Sequence, residues 1–145
     1  MILAFTIPGQ PMGMPRHRTT RQGHTYTPPK ATAYKAKVAL AAKVALRGQT
    51  IPDAPLVVYI AAYFDAPKRK PKRIVLPGKY SWTECVLWET LAHDAKPDSD
   101  NVAKIILDAV LPRDERVADL YIHKRFSNRP RVKVEIKWED EGASR

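Results

Sequence analysis

Short apolar runs along the chain predict four strands. Ile2–Ile7 is closed by a Pro-Gly pair and predicts a short strand. Leu56–Phe64 (LVVYIAAYF) is almost continuously apolar and rich in β-branched and aromatic residues, which is typical of a strand inside a sheet. Asp119–Arg125 and Arg131–Trp138 predict two more strands, joined as a hairpin because the residues between them contain Ser-Asn and Pro.

Two further stretches predict helices. The first covers about residues 30–47, with Thr27 as N-cap and Pro28 at the first helical position. The second follows Asp100 as N-cap and ends before Pro112. The residues expected to face the core are Tyr34, Val38, Ala41 and Ala45 in the first helix and Val102, Ile105, Ile106, Ala109 and Val110 in the second.

These elements predict a small α+β domain, with a mixed sheet and two main helices on one face. The chain has 145 residues, which fits a single domain over 1–145; we expect 139–145 to fray. A single cysteine, Cys85, excludes a disulfide within the chain. No apolar run approaches the roughly 18 residues of a membrane span, and the start lacks a secretory signal, so we expect a cytoplasmic protein without a membrane partner.

Charge is unevenly distributed within a net charge of +10. Residues 1–52 contain eight Lys or Arg and no acid, and residues 66–81 contain six and no acid. Residues 82–119 reverse the balance, with nine acids against four bases. Acid-free basic blocks favour a polyanionic partner such as nucleic acid. Carboxylates facing a phosphate backbone would repel it unless a divalent cation lay between them.

The acidic region contains a set of residues suited to phosphodiester chemistry. We expect Asp98 and Asp100 to lie in extended chain and project from the same side, because strand side chains alternate. Lys104 lies one helical turn beyond Asp100. Carboxylates and water are the ligands that Mg²⁺ prefers, and a lysine can stabilise developing charge. The alternative is that both acids only cap the helix and Lys104 pairs with Asp100 or Asp108.

Several segments resemble the RusA-type Holliday-junction resolvases, a family of phage and prophage endonucleases. KPDSDNVAKIILDAV at Lys96–Val110 resembles the family's KPDxDNxxKxxxDAL pattern. FTIPGQPMGMPRHR resembles its N-terminal strand and basic G-x-x-R-x-R loop, and GHTYTPPKATAY resembles the segment leading into the first helix. RDERVADLYIHKRF resembles the acid-plus-Val segment and the strand after it.

The resemblance implies particular roles for the acids and the lysine. Asp98 and Asp100 match the family's first two metal-binding aspartates, and Lys104 matches its catalytic lysine. Asp114 matches a later essential acid that also binds metal. The segment around Asp114 departs from the family's usual pair of adjacent acids, so a shift of one residue leaves Glu115 as the alternative.

The resemblance also implies a homodimer that uses Mg²⁺, with Mn²⁺ as a substitute, to resolve four-way DNA junctions in recombination and repair. We expect no small-molecule cofactor and an association with the nucleoid. The alternatives are a metal nuclease that cuts flaps or forks and a non-catalytic nucleic-acid-binding protein. The residues expected to contact DNA are Arg16, Arg18, Arg21, Lys30, Lys68, Arg69, Lys70, Lys72 and Arg73.

Overall fold

The computed structural model describes residues 1–16, 18–68 and 88–139. Two short 3-10 helices accompany the regular elements, at Trp88–Thr90 and Asp114–Arg116. In chain order the strands and α-helices are β1 (Ile2–Pro8), β2 (Arg18–Thr19), β3 (Thr25–Tyr26), α1 (Pro29–Leu46), β4 (Leu56–Asp65), α2 (Ser99–Val110), β5 (Val117–Ser127) and β6 (Arg131–Lys137).

A four-stranded mixed sheet forms the centre of the fold, in the order β1-β6-β4-β5. β6 is antiparallel to both β1 and β4, whereas β4 and β5 are parallel. Parallel neighbours require a crossover connection, and α2 is part of it. The structure therefore confirms the predicted interior position of Leu56–Phe64.

The predicted hairpin between the last two strands is wrong. β5 and β6 are consecutive in the chain, but β4 lies between them and pairs with both. The physical reason lies in β4, whose apolar residues need a neighbouring strand on each side. The residues that join β5 to β6 therefore span the width of β4 instead of making a tight turn.

The predicted loop after β1 contains two short paired strands that the sequence pattern did not indicate. Arg18 pairs with Tyr26 and Thr19 with Thr25. These strands are only two residues long, too short to show an alternating apolar pattern. The segment at 82–90, for which helix and strand were both open, is a 3-10 helix in its described part, Trp88–Thr90.

The first helix begins one residue later than its capping pattern predicts. Pro28 is the N-cap, with extended backbone angles of φ −55° and ψ 143°, and Pro29 is the first helical residue. Pro28 itself precedes a proline, so it is held away from helical geometry and cannot be the first helical residue. Pro28 rather than Thr27 is therefore the cap. The buried face is also rotated from the predicted stripe; its residues are Ala31, Tyr34, Val38 and Ala42.

Both helices contribute to one apolar core against a single face of the sheet. β1, β4 and β6 alternate regularly between buried and more exposed positions. α1 contacts β1 and α2, and α2 contacts β5. The predicted α+β class is therefore correct. No helix in the described ranges is long and apolar enough to cross a membrane.

A charged cluster attaches the 3-10 helix at Trp88–Thr90 to the sheet. The Glu89 carboxylate accepts hydrogen bonds from Arg131 at 2.7 Å and from the buried Ser127 hydroxyl at 3.2 Å. The hydrogen bond from Arg131 is the main reason that the pKa of Glu89 lies below its ordinary value of 4.5. The ionised carboxylate therefore stabilises the fold above about pH 4.5, and this contribution is lost as the pH falls through the lowered pKa.

Glu89→Gln should consequently destabilise the protein in a pH-dependent way. We expect a loss of about 0.2–1 kcal/mol at neutral pH, as for a partly exposed ion pair. The loss should shrink in acid, where the native Glu89 is itself protonated. Urea unfolding along a pH series from neutral into acid measures it, with Glu135→Gln as an exposed control. A loss that stays constant along the whole series would contradict the assigned charge effect.

Candidate active site

The predicted acid pair lies at the start of α2, but its local geometry differs from the expectation. Asp98 is the N-cap, with extended angles of φ −66° and ψ 151°, and the helix begins at Ser99. Asp100 is therefore inside the first helical turn, so the predicted strand-like alternation of the two acids is wrong. Pro97 restricts only the residue before it, and Asp98 is itself a residue type that caps helices well.

The carboxylates of both acids are available for other partners. Asp98 occupies the N-cap position but makes no side-chain hydrogen bond to the helix. Its one salt bridge, to Lys96 at 3.6 Å, joins two exposed side chains. Asp100 is exposed and makes no salt bridge within the described part of the chain. The capping alternative therefore does not account for these acids.

Lys104 is also free, although two acids lie one helical turn away from it. Asp108 instead pairs with Lys35 of α1, at 3.9 Å between half-buried side chains. Lys104 is exposed and has no salt bridge to any residue in the described ranges. The alternative pair of Lys104 with Asp108 is absent among the described residues, because Lys35 pairs with Asp108 where α1 packs against α2. Among the described residues, the Lys104 ammonium therefore has no salt bridge on the face that Asp100 shares.

The basic loop predicted to bind DNA packs directly on the start of α2. The Met14 N–H donates to the carbonyl of Asn101 at 2.9 Å. A Cβ added at Gly13 would lie 2.5 Å from the Cβ of Pro97, so only glycine allows this approach. Gln10 fixes the other end of the loop by accepting the Asp65 N–H at 2.9 Å. The exposed Arg16, two residues after Met14, therefore lies on the acid side of the molecule.

The chain that enters α2 is held to the end of the sheet by backbone and aromatic contacts. The His93 N–H donates to the Lys124 carbonyl at 3.0 Å, and the Lys124 ammonium donates to the Ala95 carbonyl at 2.6 Å. The His93 ring stacks on Phe64 with centroids 3.9 Å apart and meets the edge of Phe126. These contacts place Asp98 at the carboxyl ends of β4 and β5.

The third predicted acid lies at the opposite end of α2. Asp114 begins the 3-10 helix that precedes β5, and α2 has 12 residues, which corresponds to a length of about 18 Å. Within the described ranges, no three His, Cys, Asp or Glu side chains lie close enough to hold a metal ion. One chain therefore supplies Asp98 and Asp100 at one end and Asp114 at the other.

The structure also distinguishes Asp114 from its neighbour. The Glu115 carboxylate accepts a hydrogen bond from Arg113 at 2.7 Å, and this contact lowers the pKa of Glu115. Asp114 is exposed and makes no salt bridge in the part of the chain that the structure covers. Of the two alternatives, Asp114 is therefore the carboxylate free to take another partner.

The residues predicted to contact DNA are only partly described. Arg16, Arg21, Lys30 and Lys68 are all exposed. Arg18 starts β2, and its side chain is not described. The remaining predicted contacts, Arg69, Lys70, Lys72 and Arg73, lie outside the described residues, as does Cys85.

Sequence reasoning assigned no role to Gly13 or Lys96. Lys96 forms a salt bridge with Asp98. It is the first residue of the KPDSDN segment, so its place beside the acids could have been predicted from that segment. Gly13 is recognisable only as the glycine of the basic loop. Its steric contact with Pro97 joins residues more than 80 positions apart, and no local pattern predicts it.

Free carboxylates and a free ammonium beside an arginine-bearing loop are suited to phosphodiester hydrolysis. Residues 8–137 match the family model described as endodeoxyribonuclease RusA. The chain is also 31% identical over 147 residues to the Bacillus subtilis (strain 168) protein YqaN, described as uncharacterized. That match covers 93% of this chain and 95% of the relative. The chain belongs to the RusA endodeoxyribonuclease family, and this membership supports an endonuclease that resolves Holliday junctions.

Gly13→Ala should displace the basic loop from α2. The added methyl overlaps the Pro97 side chain, and overpacking of this kind costs about 1–3 kcal/mol. We expect weaker junction binding, measured by gel shift, although every arginine is retained. Gln22→Ala, in the same exposed segment, is the control and should bind normally. Unchanged affinity of the Gly13→Ala protein would show that loop docking does not position the DNA contacts.

Proposed function

We propose that this protein is a Mg²⁺-dependent, homodimeric endonuclease that resolves four-way DNA junctions in recombination and repair. The observation that carries the proposal is a set of exposed charges at the start of α2. Among the described residues, Asp100 and Lys104 make no salt bridge, and Asp98 pairs only with the exposed Lys96. Neighbouring Asp108 is instead neutralised by Lys35. Unpaired acids in a chain of net charge +10 need a functional explanation. We propose association with the nucleoid as a consequence of this activity.

The two carboxylates at the start of α2 are donor groups of the kind that bind magnesium. Mg²⁺ is usually held by one or two carboxylates, and substrate oxygens and waters complete its coordination. Asp98 and Asp100 would supply those carboxylates, with Mn²⁺ as a possible substitute. Bound there, the ion would supply a nucleophilic water and neutralise charge on the phosphoryl group.

The other side chains would bind and orient the DNA. Arg16 on the docked loop and Lys68 after β4 would hold backbone phosphates near the acids. The Lys104 ammonium would stabilise negative charge that develops on the scissile phosphate. The flexible reach of a lysine allows this from an exposed helical position.

Asp114 gives a structural reason for the homodimer. It follows the C-terminal end of α2, whereas Asp98 and Asp100 lie at the start of the same helix. We propose that each site combines Asp98 and Asp100 of one subunit with the partner's Asp114. A two-fold dimer would then carry two equivalent sites, one for each of two cleaved strands.

Asp98→Asn should abolish cleavage of a synthetic four-way junction while leaving binding intact or tighter. The amide loses the metal but relieves repulsion of phosphate. Lys104→Met should slow cleavage at unchanged affinity, because one ammonium among 25 basic side chains contributes little to binding. Single-turnover cleavage with Mg²⁺, with Mn²⁺ and with EDTA measures both effects, beside a gel-shift titration.

Asp108→Asn is the matched control, since that carboxylate shares the helix face but is bound to Lys35. It should cleave at nearly the wild-type rate. Flap, fork and linear duplex substrates belong in the same assay, and preferential cleavage of a flap or fork would reassign the substrate. Wild-type cleavage by both Asp98→Asn and Asp100→Asn would falsify the proposed metal site.

Mixing two inactive variants tests whether the site is shared. Asp98→Asn and Asp114→Asn should each be inactive alone. A mixed dimer of the two has one site in which both acids are intact, so equilibrated mixtures should regain nicking of one strand. Glu115→Gln, whose carboxylate is bound to Arg113, should remain active by itself. Mixtures that stay as inactive as the separate variants would place Asp114 outside the shared site.

A further inference from the structure

The face of the sheet that is turned away from the two helices carries three tyrosines. Residues that pair in register project from the same face of a sheet, and the buried residues of β4 and β6 all project from the helix side. Tyr59 and Tyr63 of β4 alternate with those buried residues, and Tyr121 of β5 pairs with Tyr59. All three tyrosines therefore lie on the other side of the sheet, its outer face.

Two of these tyrosines form a column that ends at the edge of the sheet. The Tyr59 and Tyr121 rings are stacked, with centroids 4.9 Å apart and an angle of 11° between their planes. The Lys137 ammonium lies over the Tyr59 ring, 4.8 Å from its centroid. Because β4 lies between β6 and β5, Lys137 and Tyr121 cover opposite sides of the Tyr59 ring. The second side of the Tyr121 ring therefore points beyond the last strand, and this tyrosine is 48% exposed.

The third tyrosine of the outer face is already covered. The Arg131 guanidinium lies over the Tyr63 ring, 4.2 Å from its centroid, and also binds the Glu89 carboxylate at 2.7 Å. Arg131 is therefore occupied by a ring and by an acid. Of the three tyrosines, Tyr121 is the one that can accept another flat group on its ring.

A mainly apolar cleft adjoins the column at the beginning of β4 and β5. Its volume is about 410 Å³, within the range of about 300–1,000 Å³ that is typical of small-ligand sites. Its lining includes Tyr59, Asp119, Lys137 and Trp138. Asp119 lies two residues before Tyr121 on the same face of β5. The cleft and the free side of the Tyr121 ring are therefore neighbouring places for two flat aromatic groups.

Positive charge lies beside the same column. Lys133 and His123 are both exposed, and each pairs in register with Ala61 of β4, one from either side. Within the described ranges, Lys133 makes no salt bridge. Glu135 is the acid next to the column, and it pairs with Lys137 at 3.9 Å. Lys133 and His123 are therefore the groups available to an anionic partner.

We propose that the outer face binds single-stranded DNA, with one base stacked on the free side of the Tyr121 ring and a neighbouring base in the cleft. Lys133 and His123 contact the backbone phosphates. Aromatic rings beside basic side chains are the means by which proteins bind single strands without reading their sequence. The inference goes beyond the proposed cleavage activity, because α2 and its acids belong to the helix side of the sheet.

Other partners match this surface less well. The bases of a duplex already stack on one another, so a duplex offers the Tyr121 ring no base and binds mainly through its phosphates. An apolar protein surface would bury the Lys133 ammonium without a partner, which is costly. A single strand supplies both the bases and the phosphates. DNA is favoured over RNA because the family to which the chain belongs acts on DNA.

Fluorescence anisotropy with a short labelled oligothymidine, in EDTA to prevent cleavage, tests the stacking contact. Tyr121→Ala should weaken binding about 5- to 150-fold, which corresponds to the loss of one base–aromatic stack. Tyr121→Phe keeps the ring and should bind like the wild type. Leu120→Ala is the matched control, since Leu120 is similarly exposed but lies on the opposite face of β5. Equal affinities of the Tyr121→Ala and wild-type proteins would overturn the proposal.

A linear duplex and a salt series make the same assay specific. Tyr121→Ala should leave duplex affinity unchanged, and an equal loss for duplex and single strand would contradict base stacking. Lys133→Gln should reduce the slope of log affinity against log salt by about 0.7, as expected for one phosphate contact to a single strand. If Tyr121→Ala instead abolishes self-association in light scattering and leaves single-strand affinity intact, the outer face is a contact between copies and the proposal fails.

Photo-cross-linking tests the site in the wild-type protein. An oligothymidine that carries an iodinated uracil base should cross-link to the aromatic side chain on which that base stacks. Mass spectrometry of the cross-linked peptides should identify Tyr121 and, for a base in the cleft, Trp138. Cross-links confined to Tyr26 of β3 would overturn the proposal in favour of the basic loop. Tighter binding of the matching RNA strand would overturn the assignment to DNA.

Discussion

The interior position of β4 is the constraint on which the rest of the structure depends. Alternate residues of this strand, from Leu56 to Phe64, are buried against the two helices. Full burial of each large apolar side chain is worth about 1.5–3 kcal/mol. Because β5 runs parallel to β4, the chain between them must cross back along the sheet. That crossover contains α2 and sets Asp98 and Asp114 at its two ends.

The candidate site consists mainly of charged side chains that have no salt-bridge partner among the described residues. Lys35, Arg113 and Arg131 each neutralise a nearby acid: Asp108, Glu115 and Glu89 respectively. The carboxylates of Asp100 and Asp114 and the ammonium of Lys104 have no such partner among the described residues. The paired charges stabilise the fold, whereas the unpaired charges are available to a substrate.

The elements themselves follow closely from local patterns in the sequence. β1 and β4 each extend one residue beyond their predicted ends, and α2 covers Ser99–Val110 as its apolar spacing indicates. The KPDSDN segment and the basic loop were both recognisable, and the family match supports that interpretation. The details that failed were local choices between adjacent residues. Pro28 rather than Thr27 caps α1, and Asp98 rather than Asp100 caps α2.

The sequence by itself determined the four long strands, the two α-helices, the charge pattern and the acids of the candidate site, because these depend on residue type and short-range spacing. Only the tertiary structure decided which strands pair and which charges meet. β4 lies between β5 and β6, and Gly13 packs against Pro97. Asp108 forms its salt bridge with Lys35 and not with Lys104. Each of these contacts joins distant parts of the chain, and its formation depends on packing of the whole core.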